Sequence, residues 1–429
     1  MDGGAGSVRQ VFRYPPFRWY FIGTGVSLTG TGMQFIGTAW LVLDLTGANR
    51  SIAIMLVCST VPGIVLSPVI GVYVDRYDSR RLAAAMDLAR AVAVLATAVL
   101  WYAGELRPWH LYLMTFLVAA GDAVYNPAVL CLIREITPAP LLLPANAATS
   151  IANQLGTLLG AALAGLVIAA FAPGAVMLVN AASFAVSAGC LWRIRARVGL
   201  GYLVHGPGLA GVYVLLLLVT STVKVINALL PPFATRTLGL NATGFGYVDA
   251  AFGIGAILGN LLLARVTRWF GAGRAMVAGG LILAGGLGFF SLAQNLGTAV
   301  AGYLVLGTAF TVRVLYLTRA QQLTDLSVQG RVHSAFTTVI SAATLVVYVA
   351  VGIVADRISL RWIYAAQAVL LFGAVALAMR VAARMRTAPV AAHRRGPPRH
   401  RGRGRWRTYR TGTHRMTPRA TGTLLDRPM

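Results

Sequence analysis

The sequence predicts an all-α integral membrane protein: twelve transmembrane helices arranged as two pseudo-symmetric six-helix bundles around a central cavity. Three observations carry this. Of the 429 residues, 57% are hydrophobic and only 11% charged, whereas a soluble domain is nearer half apolar and about a quarter charged. The apolar residues gather in runs of about twenty, the length that crosses a bilayer core. A polar break containing Gly199, Gly201, Gly206 and Pro207 divides those runs into two sets.

The runs fall at 19–42, 51–74, 82–103, 109–133, 149–171 and 175–193, then at 209–231, 244–264, 274–294, 298–320, 332–354 and 360–380. This gives a cytoplasmic N-terminal segment (1–18), an N-terminal bundle (19–193), a cytoplasmic linker (194–208) and a C-terminal bundle (209–380). Residues 381–429 are rich in Arg, Gly, Pro and Thr with almost no aliphatic run. Such a stretch cannot bury enough apolar surface to offset chain entropy, so it reads as a disordered cytoplasmic tail. The 47 Gly and 18 Pro point to bent, closely packed membrane helices. Cys58, Cys131 and Cys190 sit inside apolar runs, so no disulfide framework is expected. No cleavable signal peptide is expected either, because the run after Arg18 is too long for a signal core.

Arginine placement sets the orientation. Arg9, Arg13 and Arg18, then Arg76, Arg80, Arg81, Arg134, Arg193, Arg195, Arg197, Arg265, Arg268, Arg274, Arg319 and Arg331 fall on the side of the N-terminus. Only Arg50, Arg107, Arg236, Arg357 and Arg361 fall opposite. Basic loops stay cytoplasmic, so both termini are expected in the cytoplasm and the protein in the plasma membrane. Much of the formal net charge of +25 belongs to the tail. Its Arg401-Gly402-Arg403-Gly404-Arg405 run reads as a solvated extension drawn to anionic lipid, and no nucleic-acid partner is expected.

The loop between the second and third spans reads Gly71-Val72-Tyr73-Val74-Asp75-Arg76-Tyr77-Asp78-Ser79-Arg80-Arg81. A weak echo, Thr267-Arg268, lies 192 residues on, again between the second and third spans of its half. The segment resembles the loop motif of the major facilitator superfamily, with one residue of altered spacing. That form is similar to the enterobactin-exporter-like and macrolide-efflux-like subgroup. Pro127-Ala128, Ala145-Asn146-Ala147, Asn180 and Phe184 also match, and the resemblance covers about 17–380. It implies two rocking six-helix halves and a gating loop built on Gly71, Asp75, Arg76, Arg80 and Arg81, in which Asp75 and Arg76 form an intracellular contact. Gly156, Gly160 and Gly165 in the fifth span are similar to the antiporter motif, with Ala161 in place of its proline. Together with Gly255 and Gly259 in the eighth span they are expected to pack helices closely.

Charges inside the spans cost roughly 2.5–3.5 kcal/mol each at a helix centre and therefore mark function. Asp87 and Arg90, three apart, can pair on one face. Asp122 in the fourth span, Lys224 in the seventh and Arg313 in the tenth lie deep. Gln34 in the first span adds a polar group there, and Asn126 and Asn227 extend the polar rows. In the family these spans line the cavity, so Gln34, Asp122, Asn126, Lys224, Asn227 and Arg313 are the expected substrate and proton pathway, with Asp249 added from the outer third of the eighth span, which is usually peripheral. Asp122 leads as the proton carrier, Asp249 is second, and Asp122 alternatively neutralises Lys224 or Arg313. His333 is expected at the surface.

The sole lysine is followed by Val225, so the chain has no Gly-Lys-[Ser/Thr] nucleotide loop; no metal or cofactor motif and no catalytic constellation is present. The chain is expected to be no enzyme and to need no cofactor, with an ion gradient supplying energy. The reading is a monomeric secondary transporter, a proton antiporter exporting a small amphipathic compound such as a siderophore or antibiotic. An importer of the same fold, or a non-transporting sensor or partner subunit, is the alternative.

Overall fold

The computed structural model describes residues 8–47, 49–194, 209–325, 328–354 and 359–387, and each predicted apolar run is helical in it. The helices are α1 (Val8–Val11), α2 (Pro15–Thr46), α3 (Asn49–Val65), α4 (Ser67–Val74), α5 (Ser79–Tyr102), α6 (Pro108–Ile136), α7 (Leu142–Phe171) and α8 (Pro173–Arg193). They continue with α9 (Leu209–Pro232), α10 (Ala242–Phe270), α11 (Ala272–Ser291), α12 (Leu296–Phe310), α13 (Val312–Leu323), α14 (Gln329–Val354) and α15 (Leu360–Thr387).

Ten helical spans among the described residues are long and apolar enough to cross a membrane, α12 and α13 counting as one. The count of twelve is therefore not reached by length and hydropathy. The predicted span 51–74 is divided at Leu66 into α3 and α4, because Pro68 has no N–H to continue the ladder and its ring crowds the preceding turn. The predicted span 332–354 lies within α14. The predicted linker lies outside the described residues, apart from Ile194, and so does the tail beyond Thr387. Residues 381–387 were expected in the tail but continue α15; Val381-Ala382-Ala383-Arg384-Met385-Arg386 contains good helix formers.

In lipid there is no water to drive helices together, so close packing decides. In the first half α2 packs on α7 and α8, α5 on α6 and α8, and α3 on α6; in the second, α10 packs on α12, α11 on α15, and α9 on α13, α14 and α15. The α2–α7 crossing is made by glycine. A Cβ on Gly156 would lie 2.6 Å from Leu28 Cβ, and one on Gly160 would lie 2.5 Å from the Thr29 carbonyl. Gly255 and Gly259 face the Leu304 and Thr308 carbonyls of α12 in the same way, whereas Gly165 has open space and packs nothing closely. Trp40, Phe171, Trp192 and Trp269 are exposed, as suits an outer surface covered by lipid.

Helices α7 and α8 meet at Ala172, whose φ of 79° and ψ of 161° lie in a region only glycine occupies without strain. Gly271 holds nearly the same conformation between α10 and α11, with φ 79° and ψ 151°. Ala172→Gly is expected to stabilise the protein by about 1 kcal/mol. Thermal unfolding in detergent checks this, and an unchanged or lower midpoint would count against strain at that turn.

Candidate functional site

Asp75 follows the last turn of α4 and reaches the first turn of α14. Its Oδ1 accepts from the Gly330 N–H at 2.7 Å, and its Oδ2 accepts from the Arg331 N–H at 3.1 Å and Arg331 Nε at 3.0 Å. The carboxylate is 4% exposed. It satisfies two of the free N–H groups at a helix start, where the helix dipole also favours negative charge. Two glycines permit the approach: a Cβ on Gly71 would lie 2.6 Å from Arg331 Cα, and one on Gly330 would lie 2.5 Å from Asp75 Oδ1.

Arg76, expected to share this contact, is exposed; Arg331 is the arginine that meets Asp75. Arg80 donates from Nη1 to the Ile194 carbonyl beyond α8. Asp78, part of the altered spacing, caps α5 by accepting from the Arg81 N–H at 2.9 Å, while Arg81 itself is exposed. The Thr267-Arg268 echo forms no second gate: Thr267 is buried and donates to the Leu263 carbonyl of its own helix.

Further contacts join the two halves on the same, arginine-rich side. Arg134, near the end of α6, donates to the Thr324 carbonyl at 2.6 Å and Gln329 Oε1 at 2.7 Å. Asn146 in the first turns of α7 donates to Thr318 Oγ1 at 2.9 Å and Gln321 Oε1 at 2.5 Å, and Asn260 donates to Ser150 at 3.1 Å. Sequence reasoning counted Arg134 only as loop charge and passed over Gln321, Gln329 and Asn260. Their one visible signal was a polar residue within two turns of a span's arginine-rich end.

Deep in the first half, Arg90 donates to Asp87 Oδ1 and to Asp122 Oδ1. Its guanidinium lies 4.2 Å from the Tyr125 ring centroid and 4.6 Å from that of Phe184. Gly121 makes room, since a Cβ there would meet Arg90 Cγ at 2.8 Å. The predicted Asp87–Arg90 pair is thus a triad of two carboxylates and one guanidinium. The cation that Asp122 meets is Arg90, not Lys224 or Arg313. Within the triad the carboxylates differ: the Asp87 side chain is 0% exposed and that of Asp122 38%. A recess of about 390 Å³ beside Gly121 is lined by apolar side chains, among them Ile70, Met86, Leu117 and Val124.

The other expected pathway residues divide. Gln34 is buried inside the bundle rather than on an open face. Its Oε1 accepts from Asn180 on α8 and its Nε2 lies 3.8 Å from Met114 Sδ on α6. Asn126 and Asp249 are exposed, and the side chain of Asn227 lies outside what is described. Lys224 on α9 is exposed. Arg313 is half-buried beside Phe310, 5.9 Å from its ring. His333, expected at the surface, is half-buried on α14, and its Nδ1 is buried with no hydrogen-bond partner.

A family model described as transmembrane secretion effector matches residues 7–399. Over 38% of both chains the sequence is 27% identical to the uncharacterized MFS-type transporter YfiS of Bacillus subtilis. It is 22% identical to macrolide efflux protein A of Streptococcus pyogenes, over 58% of this chain and 65% of that one. The chain thus covers less than two thirds of the length of either relative. A bacterial homologue of the iron transporter ferroportin, solved in its outward-facing state, superposes with a TM-score of 0.70 at 16% identity, over 87% of this chain and all of that one.

Proposed function

Since this chain belongs to the transmembrane secretion effector family of the major facilitator superfamily, we propose that it is a proton-antiporting exporter of a small amphipathic organic compound. In this reading the arginine-rich side is cytoplasmic, and the conformation described is closed there by Asp75, Arg134 and Asn146. The two halves, 19–193 and 209–380, rock about a central path.

The supporting observation is the unequal triad. One arginine is shared by a carboxylate sealed from solvent and one that is partly open, so a proton can reach Asp122 while Asp87 keeps Arg90 neutralised. Export relatives such as macrolide efflux protein A support the outward direction. One proton entering down a potential of about 100 mV contributes about 2.3 kcal/mol, enough to drive a modest concentration ratio.

The test uses the purified protein in liposomes with an imposed pH gradient, and a macrolide as the first compound tried. Asp122→Asn is expected to abolish uphill movement while retaining exchange of compound across the membrane. Full gradient-driven transport by that variant would exclude Asp122 as the coupling group.

A further inference from the structure

We infer that the recess beside Gly121 holds an acyl chain of an anionic phospholipid from the leaflet on the arginine-rich side, with the headgroup at Arg76 and Arg81. This does not rest on the transport reading. The recess, about 390 Å³, follows from how three helices meet. Helices α4 and α5 each pack on α6 but scarcely on one another. Between them stand Ala89 and Ala93 of α5 and Ala120 and Gly121 of α6, residues too small to close the gap. Val69, Tyr73 and Leu117 at its rim are exposed, so the recess opens sideways toward lipid. A void there forfeits the dispersion contacts of its walls, and the surrounding bilayer is what can enter.

Size and lining select the occupant. The recess runs from Tyr73 and Met86 to Leu66 and Ala93, two turns of helix along each wall, or about 10 Å. A partner helix about 10 Å across would fill roughly 800 Å³ over that length, twice what is there. A flexible hydrocarbon chain fits. The lining is apolar, with Tyr73 supplying its one hydroxyl.

The loop that joins the two walls, between α4 and α5, supplies the charge. Arg80 is occupied there, donating to the Ile194 carbonyl and lying 3.6 Å from Asp78. Arg76 and Arg81 are exposed and form no ion pair among the described residues. Guanidinium groups meet phosphate through paired hydrogen bonds, and each basic residue beside an anionic membrane surface adds to binding. Tyr73 stacks on Tyr77, with ring centroids 6.3 Å apart and planes at 4°, and both are exposed. Tyrosines with one end apolar and the other wet belong at headgroup level. The pair connects the recess, which Tyr73 lines, to the loop, where Tyr77 follows Arg76. An uncharged apolar compound would use the recess and leave both arginines without a partner.

The experiment places the full-length protein in phosphatidylcholine nanodiscs doped with a trace of photoactivatable lipid. Two such lipids share the same diazirine-bearing chains, one a phosphatidylglycerol and the other a phosphatidylcholine, and mass spectrometry maps the crosslinks. The phosphatidylglycerol label is expected on 66–73, 86–93 and 117–124, about tenfold above the phosphatidylcholine label, the preference that two basic residues beside an anionic headgroup supply. Ala89→Phe, which puts a ring into the recess from an exposed position, is expected to cut that label severalfold and leave label on the other lipid-facing helices unchanged. Arg76→Gln combined with Arg81→Gln is expected to bring phosphatidylglycerol down to the phosphatidylcholine level; should Ala89→Phe fail to fold, this surface pair decides alone. Label spread evenly over the lipid-facing helices, equal label from both lipids, or unchanged label in a folded Ala89→Phe overturns the site. Displacement of the phosphatidylglycerol label by an equimolar uncharged apolar compound would overturn it too, making the recess a compound site instead.

Discussion

Asp75→Asn is expected to raise the alkylation rate of Cys131 by a maleimide roughly a hundredfold. Cys131 is 4% exposed on α6 and lies within electrostatic reach of Asp75, of Arg134 and of Tyr213 across the interface, so it sits behind the closed side. The Asp75 carboxylate accepts three hydrogen bonds from the other half, one of them from a guanidinium. An amide in its place loses the charge and turns an N–H toward donors. Hydrogen bonds to charged groups contribute about 1.5–3 kcal/mol each, so a net loss of about 3 kcal/mol moves a closed–open equilibrium about a hundredfold. Mass spectrometry after timed labelling reads the rate, with Cys190, buried on α8, as an internal reference. Arg76→Gln, altering an exposed residue, is expected to change the rate far less. Equal Cys131 reactivity in Asp75→Asn and the unaltered protein would remove Asp75 from the gate.

The Asp75 contact also shows what the sequence makes legible. Gly71 and Asp75 are a local pattern, and the pattern is informative because a glycine admits the neighbouring backbone and a carboxylate brings both acceptors and a negative charge to a helix start. Their partners, Gly330 and Arg331, lie more than 250 residues away and nothing in the spacing names them; Arg76, expected to share the contact with Asp75, is exposed instead. The long helices were readable because lipid demands about twenty apolar residues in a row. The interruption at Leu66 was announced by Ser67-Pro68, yet hydropathy averaging runs over it.

Inside the membrane the same division holds. Asp87 and Arg90 are three apart, a spacing that fixes a shared helix face, and they do pair. The sequence offers Lys224 and Arg313 as alternative partners for Asp122, and not Arg90, because depth along a helix is readable while rotation about its axis is not. Arg90 and Asp122 face each other only through the packing of α5 on α6, which Gly121 permits. Gln34 is as deep as expected but turned toward Asn180, where it joins α2 to α8.

Arg90→Gln is expected to be the most destabilising single change in the triad, costing about 3–5 kcal/mol, because it leaves the fully buried Asp87 carboxylate facing the partly open Asp122 carboxylate without a cation. Asp87, fully enclosed and with Oδ2 already unbonded, has no route to solvent that would relieve it. Asp122→Asn is expected to cost far less, because Asp87 and Arg90 then remain as a neutral pair. Unfolding midpoints in detergent, read by monodispersity after heating, order the variants: Arg90→Gln lowest, Asp122→Asn close to the unaltered protein. The double replacement Asp87→Asn with Arg90→Gln is expected to recover part of the loss, since a carboxylate and its counter-ion leave together. The order matters for mechanism. A carboxylate whose loss the fold tolerates can take up and release a proton in every cycle without melting its bundle, and a carboxylate that holds the buried Arg90 cannot. If Asp122→Asn proves as unstable as Arg90→Gln, the triad is a structural lock throughout, and proton coupling has to be sought at Asp249 instead.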